Sequence, residues 1–156
     1  MVTQDILREL FDYVPETGKL FRKKTNSKGP GKKGDSVGSL TESGYLRTSI
    51  KQRRYQVHRI IWCWMTGEWP KKGLVVDHIN GDRSDNRWSN LRLCTARQNA
   101  FNRKAPRSSA TGFTGVYKDK RTGKFFVRIS GKYVGTYDTL NLAVAARNAY
   151  ERAIFE

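Results

Sequence analysis

The stretch VVDHINGDRSDNRWSNLRLCTARQN (residues 75–99) sets one of the chain's two histidines directly after an aspartate, where an apolar run gives way to a polar loop. Taken alone, Ile79-Asn80-Gly81-Asp82 reads as a turn leaving a strand, with Asp77 and His78 as its solvated shoulder. The residues beyond the turn support a chemical reading instead. SNLRLCT reads as a returning strand, and Thr95 as the N-cap of a helix over TARQNAFNRK that carries Asn99 one turn in. Neighbouring strand residues point to opposite faces, so Asp77 and His78 can converge on one group only where the strand end bends. Asn80-Gly81 supplies that bend.

Phosphodiester hydrolysis needs this kind of residue set. The phosphate is anionic, so an attacking water must lose a proton as it attacks, and the departing oxygen must be stabilised as charge collects on it. A neutral imidazole, with an unperturbed pKa of about 6.5, accepts the proton at neutral pH. A divalent cation held by hard oxygen donors, a carboxylate and an amide carbonyl, stabilises the leaving oxygen.

Composition agrees with a polyanionic partner. Thirty Lys+Arg against fourteen Asp+Glu give a formal charge of +16, with a pI near 10.2. Basic residues recur in every segment rather than in one solvated tail, which favours nucleic acid. There is no long apolar span, and MVTQDILREL lacks the charged-then-apolar layout of a leader, so the expectation is a cytoplasmic protein without membrane contact, in the bacterial host if phage-encoded. Cys63 and Cys94 sit inside apolar runs without a C-x-x-C pair, which fits buried core thiols rather than a disulfide or structural zinc.

Upstream, FDYV and KLFRK flank Pro15-Glu16-Thr17-Gly18 as strand, turn, strand, and residues 27–34 form a basic glycine-rich loop. SVGSL and YLRTSIK suggest another hairpin around Glu42-Ser43-Gly44, and residues 55–66 a helix ended by Gly67-Glu68-Trp69-Pro70. Trp62, Trp64 and Trp69 read as packing among Ile and Met, and Trp88 as a lid over the polar loop. His58, beside Arg59, reads as a packing or phosphate-contacting residue rather than a second base. Arg53 and Arg54 are expected in a turn, either contacting phosphate or capping a solvated hairpin.

KAPRSSATG (residues 104–112) is small, polar and proline-bearing and marks a domain boundary. Beyond it GVYKD, KFFVRIS and KYVGTYD read as three short strands, followed by a helix opened by Thr139 with Ala143, Ala146, Tyr150 and Ala153 on one stripe. Alternation in the middle strand sends Phe125, Val127 and Ile129 toward the helix and Lys124, Phe126 and Arg128 to an exposed basic, aromatic face.

Asp77-His78, Asn90 and Asn99, at intervals of 12 and 9, resemble the signature of the HNH nucleases in the variant with asparagine at the third position. Residues 75–102 are similar to phage and intron-encoded homing endonucleases, and VPETGKLF, SGYLRTSI and VHRIIWCWMTGEWP are similar, more loosely, to the region preceding the motif there. The resemblance implies a ββα-metal fold with His78 as general base and Asn90 bracing the loop. It further implies Asp77 and Asn99 as ligands of one Mg²⁺ or Mn²⁺, with Asn102 the alternative to Asn99. The C-terminal segment, through GTYDT and its alanine-rich helix, resembles an AP2-type DNA-binding domain.

The expected fold class is α+β: an N-terminal hairpin-rich region with the ββα-metal motif, then an AP2-like three-stranded antiparallel sheet with one packed helix. The expected domains are a nuclease over residues 1–104 with its metal core at about 73–104, a linker at 105–111, and a DNA-binding domain at 112–156. Arg53, Arg54, Arg59, Tyr117, Lys118, Lys120, Lys124, Phe126, Arg128 and Lys132 are the expected contacts to double-stranded DNA. The function implied is a metal-dependent endonuclease, nicking or cutting both strands, acting as a monomer or weak dimer without an obligate protein partner. The rivals are a non-catalytic DNA-binding regulator with a degenerate nuclease fold and a basic RNA-binding protein of ribosomal type. The spacing around His78 counts against the second.

Overall fold

The reversal at Pro15–Gly18 folds FDYV back on KLFR as expected: β1 (Phe11–Val14) pairs antiparallel with β2 (Lys19–Arg22), Phe11 opposite Arg22 and Val14 opposite Lys19. In a computed structural model that describes residues 2–26, 31–101 and 109–155, the chain divides into two compact units, Met1–Leu93 and Cys94–Glu156. This division lies N-terminal to the linker expected at 105–111, of which 105–108 fall outside the described residues. Thr111 already belongs to the second unit: it is buried and its Oγ1 donates to the Val116 carbonyl at 2.7 Å.

In the first unit α1 (Gln4–Leu10) precedes β1. This helix is not among the sequence-based expectations, although Leu7 is fully buried and Ile6 and Leu10 pack beside it. A three-stranded sheet follows: β3 (Ser39–Leu40) pairs with β4 (Leu46–Ile50), and β4 with β5 (Arg53–Gln56). The turn between β4 and β5 is Lys51-Gln52, both at positive φ, so Arg53 and Arg54 lie on β5 and not in the turn. The expected helix over 55–66 begins two residues later, as α2 (Val57–Thr66), because Tyr55 and Gln56 still pair with β4.

Helix α2 is the core of this unit. Val57, Ile60, Ile61 and Cys63 are buried on it, each large aliphatic contributing about 1.5–3 kcal/mol relative to exposure. It ends at Gly67, whose left-handed φ of 86° lets its N–H reach the Cys63 carbonyl at 2.9 Å. Trp64 Nε1 donates to the Phe11 carbonyl at 3.2 Å and Trp69 Nε1 to Val2 at 2.7 Å, so these indoles pack as expected. Trp88 does not act as a lid. Its ring lies 5.2 Å from that of Trp62 and packs on the core, because its backbone N–H is tied to the Pro15 carbonyl at 3.1 Å. Cys63 and Cys94 are both buried.

Strand β6 (Leu74–His78) pairs with β7 (Leu91–Thr95), which runs into α3 (Ala96–Phe101). Thr95 caps α3 reciprocally with Gln98: the Gln98 N–H donates to Thr95 Oγ1 at 3.2 Å, and the Thr95 N–H to Gln98 Oε1 at 2.8 Å.

In the second unit β8 (Val116–Lys118), β9 (Phe125–Ile129) and β10 (Lys132–Tyr137) form an antiparallel sheet with β9 central, and α4 (Leu140–Phe155) packs on it. Ala143 is fully buried against Val116, Val127 and Ile129. The helix stripe differs from the expected one. Ala153 is exposed, and Leu140, Val144, Tyr150 and Ile154 complete the contact, since larger apolar side chains reach the sheet where alanine cannot. No helix among the described residues is long and apolar enough to cross a membrane.

Candidate active site and nucleic-acid interface

Along β6 Leu74 and Val75 are half-buried and Val76 is buried, and its last two residues are the buried polar pair Asp77 and His78, only 8% and 3% exposed. Two buried polar side chains in succession require partners, and the structure supplies a different set for each. Asp77 Oδ2 accepts a hydrogen bond from Arg92 Nε of β7 at 3.0 Å, and the Arg92 Nη2 lies in ion-pair contact with it at 3.0 Å. His78 Nε2 lies 2.9 Å from Oδ1 of Asn86, which is 1% exposed. The His78 ring is walled by His58, edge-on at 4.9 Å between centroids, and by Tyr45 at 5.9 Å. His58 is buried, which fits packing, one of the two roles expected for it. Its Nδ1 has no hydrogen-bond partner among the described residues, and burial, with smaller effects of His78 and Arg59, lowers its pKa from 6.5 to about 3.

After His78 the chain turns at once: the Gly81 N–H returns to the His78 carbonyl at 2.9 Å, with Gly81 at φ 71°. The loop is held by its own short polar side chains. Asn80 Oδ1 accepts the Asp82 N–H at 2.8 Å, and Asp82 Oδ1 accepts both N–H and Oγ–H of Ser84. Asp85 receives Arg87 Nε and Asn80 Nδ2, both at 2.8 Å. The Arg87 bond is the main reason its carboxyl is lowered to about 2.

Asn90 closes the loop at its far end. It is 6% exposed. Its Oδ1 accepts the Asn80 N–H at 2.9 Å, its Nδ2 donates to Asn80 Oδ1 at 3.0 Å and to the Asp85 carbonyl at 2.7 Å, and its own carbonyl accepts the Ile79 N–H at 2.8 Å. Asn99 is half-buried on α3 in the second unit. Asn102 lies outside the described residues. Among the described residues no three His, Cys, Asp or Glu side chains gather at one point, so a cation would have to be held by a smaller acidic set supplemented with neutral oxygens. Sequence reading missed Asn86, Tyr45 and Arg92. Asn86 carried a weak signal, as an amide within the loop that leaves His78.

Of the expected DNA contacts, Arg53, Arg54 and Arg59 are exposed, and Arg54 and Arg59 line a groove of about 590 Å³ with Tyr55 and Trp69. In the C-terminal sheet, Tyr117 opposes Phe126, which opposes Thr136, and Arg128 opposes Tyr133, so these share the face away from α4. The Tyr117 and Phe126 rings stack at 5.2 Å. Tyr133, also missed, is 56% exposed on this face. Lys124 ion-pairs with Asp138 at 2.8 Å, and Lys120 is exposed in the preceding turn. Lys118 and Lys132 lie toward the helix side, with their ammonium groups 5.7 Å from the Phe125 ring centroid and 5.8 Å from that of Tyr150.

Over 90 residues the chain is 32% identical to Protein 3.8 of Escherichia phage T7, a match covering 56% of this chain and 74% of that protein. Residues 55–101, which include Asp77, His78, Asn90 and Asn99, match the HNH endonuclease family. The chain carries an HNH endonuclease domain over residues 55–101. That domain makes the chain a nuclease. A second relative, described as an uncharacterized HNH endonuclease L560 of Acanthamoeba polyphaga mimivirus, is 35% identical over 79 residues, 51% of this chain and 40% of that one. A solved structure titled "DNA binding and cleavage by the HNH homing endonuclease I-HmuI" is similar over 59% of this chain and 50% of its own, at 26% identity and a TM-score of 0.42. The chain thus spans half or less of the length of these two proteins.

Proposed function

We propose that this HNH nuclease is a metal-dependent endonuclease of the homing type acting on double-stranded DNA, with His78 as its general base. The observation that carries this reading is the placement of His78: a buried imidazole at a strand end beside a carboxylate, with its Nε2 bonded to Asn86 and its loop closed by Asn90. The proton leaves the attacking water for the imidazole, the water oxygen forms the new bond to phosphorus, the bond from phosphorus to the 3′ oxygen breaks, that oxygen takes up a proton from solvent, and the imidazolium later returns its proton to solvent. The products carry a 5′-phosphate and a 3′-hydroxyl.

Asp77 and Asn99, or Asn102 in its place, are the proposed ligands of one divalent cation, Mg²⁺ or Mn²⁺. The donors are hard oxygens that suit such an ion, and the Asp77 carboxylate already attracts a positive group, the Arg92 guanidinium at 3.0 Å. When bound, the cation supplies charge neutralisation at the departing oxygen. Asn90 holds the loop so that His78 keeps its place. The C-terminal unit is proposed as an AP2-like targeting module that docks the face bearing Tyr117, Phe126 and Arg128 on DNA. Linked to the weakly specific nuclease, it raises the nuclease's local concentration at chosen sites.

Supercoiled plasmid incubated with Mg²⁺, Mn²⁺ or EDTA tests the proposal. Wild-type protein is expected to relax or linearise the plasmid only with metal, and His78→Ala to lose about 10²- to 10⁴-fold in rate while binding DNA as before. Equal loss of binding and cleavage in His78→Ala would make His78 structural. Absence of cutting in every condition would favour a DNA-binding regulator.

A further inference from the structure

We infer that Asn86 is a positioning residue that fixes the ring tautomer of His78, so that Nε2 carries the proton and Nδ1 is the atom that accepts one from water. The catalytic half of this inference rests on the reading of His78 as general base. A neutral imidazole has one donor and one acceptor nitrogen, and a hydrogen bond made by one nitrogen dictates the role of the other. His78 Nε2 meets Asn86 Oδ1 at 2.9 Å with both side chains buried, 3% and 1% exposed, so water does not compete for that nitrogen.

The amide could face the ring with either its oxygen or its nitrogen, and the loop selects the oxygen. Asn86 Nδ2 donates to the Ser84 carbonyl at 3.3 Å, whereas a flipped amide would set its oxygen against that carbonyl oxygen. An acceptor at Nε2 makes Nε2–H the donor and leaves the proton-accepting lone pair on Nδ1. Asn86 is itself anchored: its carbonyl receives the Tyr13 hydroxyl of β1 at 2.8 Å. The hairpin turn presses on it so closely that a Cβ at Gly18 would lie 2.4 Å from the Asn86 carbonyl carbon. Packing of the His78 ring against His58 and Tyr45 limits its rotation, so the hydrogen bond sets the tautomer of a ring already oriented.

A long-range ¹H–¹⁵N spectrum of the full ¹⁵N-labelled chain at about pH 8, where an ordinary imidazole is neutral, reads the tautomer directly. With only two histidines, His78→Ala identifies the His78 signals by their loss. The expected wild-type pattern is Nε2–H, and Asn86→Ala should give mixed tautomers. Asn86→Asp, which keeps an acceptor oxygen, should restore Nε2–H. Cleavage should fall about 10- to 100-fold in Asn86→Ala with DNA affinity unchanged, and recover in part in Asn86→Asp. A wild-type Nδ1–H pattern overturns the inference, as does an Asn86→Ala variant that keeps both the tautomer and the rate. Should Asn86→Ala not fold, the wild-type spectrum and the Asp variant decide the matter. Wild-type cutting by His78→Ala refutes the base reading and the catalytic half of the inference, while the spectrum still tests the Asn86 bond by itself.

Discussion

Truncating Asn90 should loosen the loop after His78 by a predictable amount. Asn90→Ala removes three hydrogen bonds: the Asn80 N–H to Oδ1 at 2.9 Å, and Nδ2 to Asn80 Oδ1 at 3.0 Å and to the Asp85 carbonyl at 2.7 Å. At about 1 kcal/mol net for each, the loss is about 3 kcal/mol, rising toward about 4 kcal/mol if the partly buried Asn80 N–H finds no water. The Ile79 N–H keeps its bond to the Asn90 carbonyl, so the end of β6 stays tied while the loop carrying Asn86 is freed. Asn90→Asp keeps the acceptor for Asn80 but neither donor, and should cost about 2 kcal/mol. All four tryptophans, at 62, 64, 69 and 88, lie in the first unit, so urea unfolding followed by indole fluorescence reports on that unit. Hydrogen exchange at the Asn80 amide supplies the local readout. A loss under about 1 kcal/mol with the Asn80 amide still protected would refute the bracing role.

His58 predicts a pH dependence. Its folded pKa, lowered to about 3, lies below the ordinary 6.5, so between these values the unfolded chain binds a proton that the folded chain does not. Stability is therefore unaffected by this group above about pH 6.5 and falls by up to about 1.4 kcal/mol per pH unit as pH drops toward 3. His58→Phe should remove that increment, and parallel urea midpoints for both proteins at pH 7 and 4.5 would contradict it. On the C-terminal sheet, Arg128→Ala should reduce the slope of log affinity for duplex DNA against log salt by about 0.9, and Lys132→Ala should leave it nearly unchanged. The reverse result would put DNA on the helix side of the sheet.

Much of the fold is legible because its signals are local. The Pro15–Gly18 reversal, the Thr95–Gln98 cap and the alternation of Phe125, Val127 and Ile129 each depend on residues within a few positions of one another. Helix α1 escapes a sequence reading because its apolar stripe of Ile6, Leu7 and Leu10 is too short to establish a period. Lys118 and Lys132 share with Arg128 only their charge. Their faces follow from register, Lys118 opposite Phe125 and Lys132 opposite Ile129, and the bulge between Tyr133 and Gly135 interrupts any simple count along β10.

The candidate site divides along the same line. Asn80, Asp82 and Ser84 hold the loop through bonds spanning two residues, which short polar side chains make wherever they cluster. Asn90 reaches ten residues back to Asn80, and motif spacing brings it to notice. The bond from Asn86 to His78 spans eight residues and requires the loop to fold over the strand end while Tyr13, 73 residues from Asn86, anchors it from another hairpin. No local rule encodes that contact. Resemblance of sequence therefore identifies the histidine, whereas the choice of which ring nitrogen is protonated is made by packing between elements distant in the chain. Gly18→Ala, far from His78 in sequence, should consequently disturb the tautomer through Asn86, as the same ¹H–¹⁵N spectrum would read.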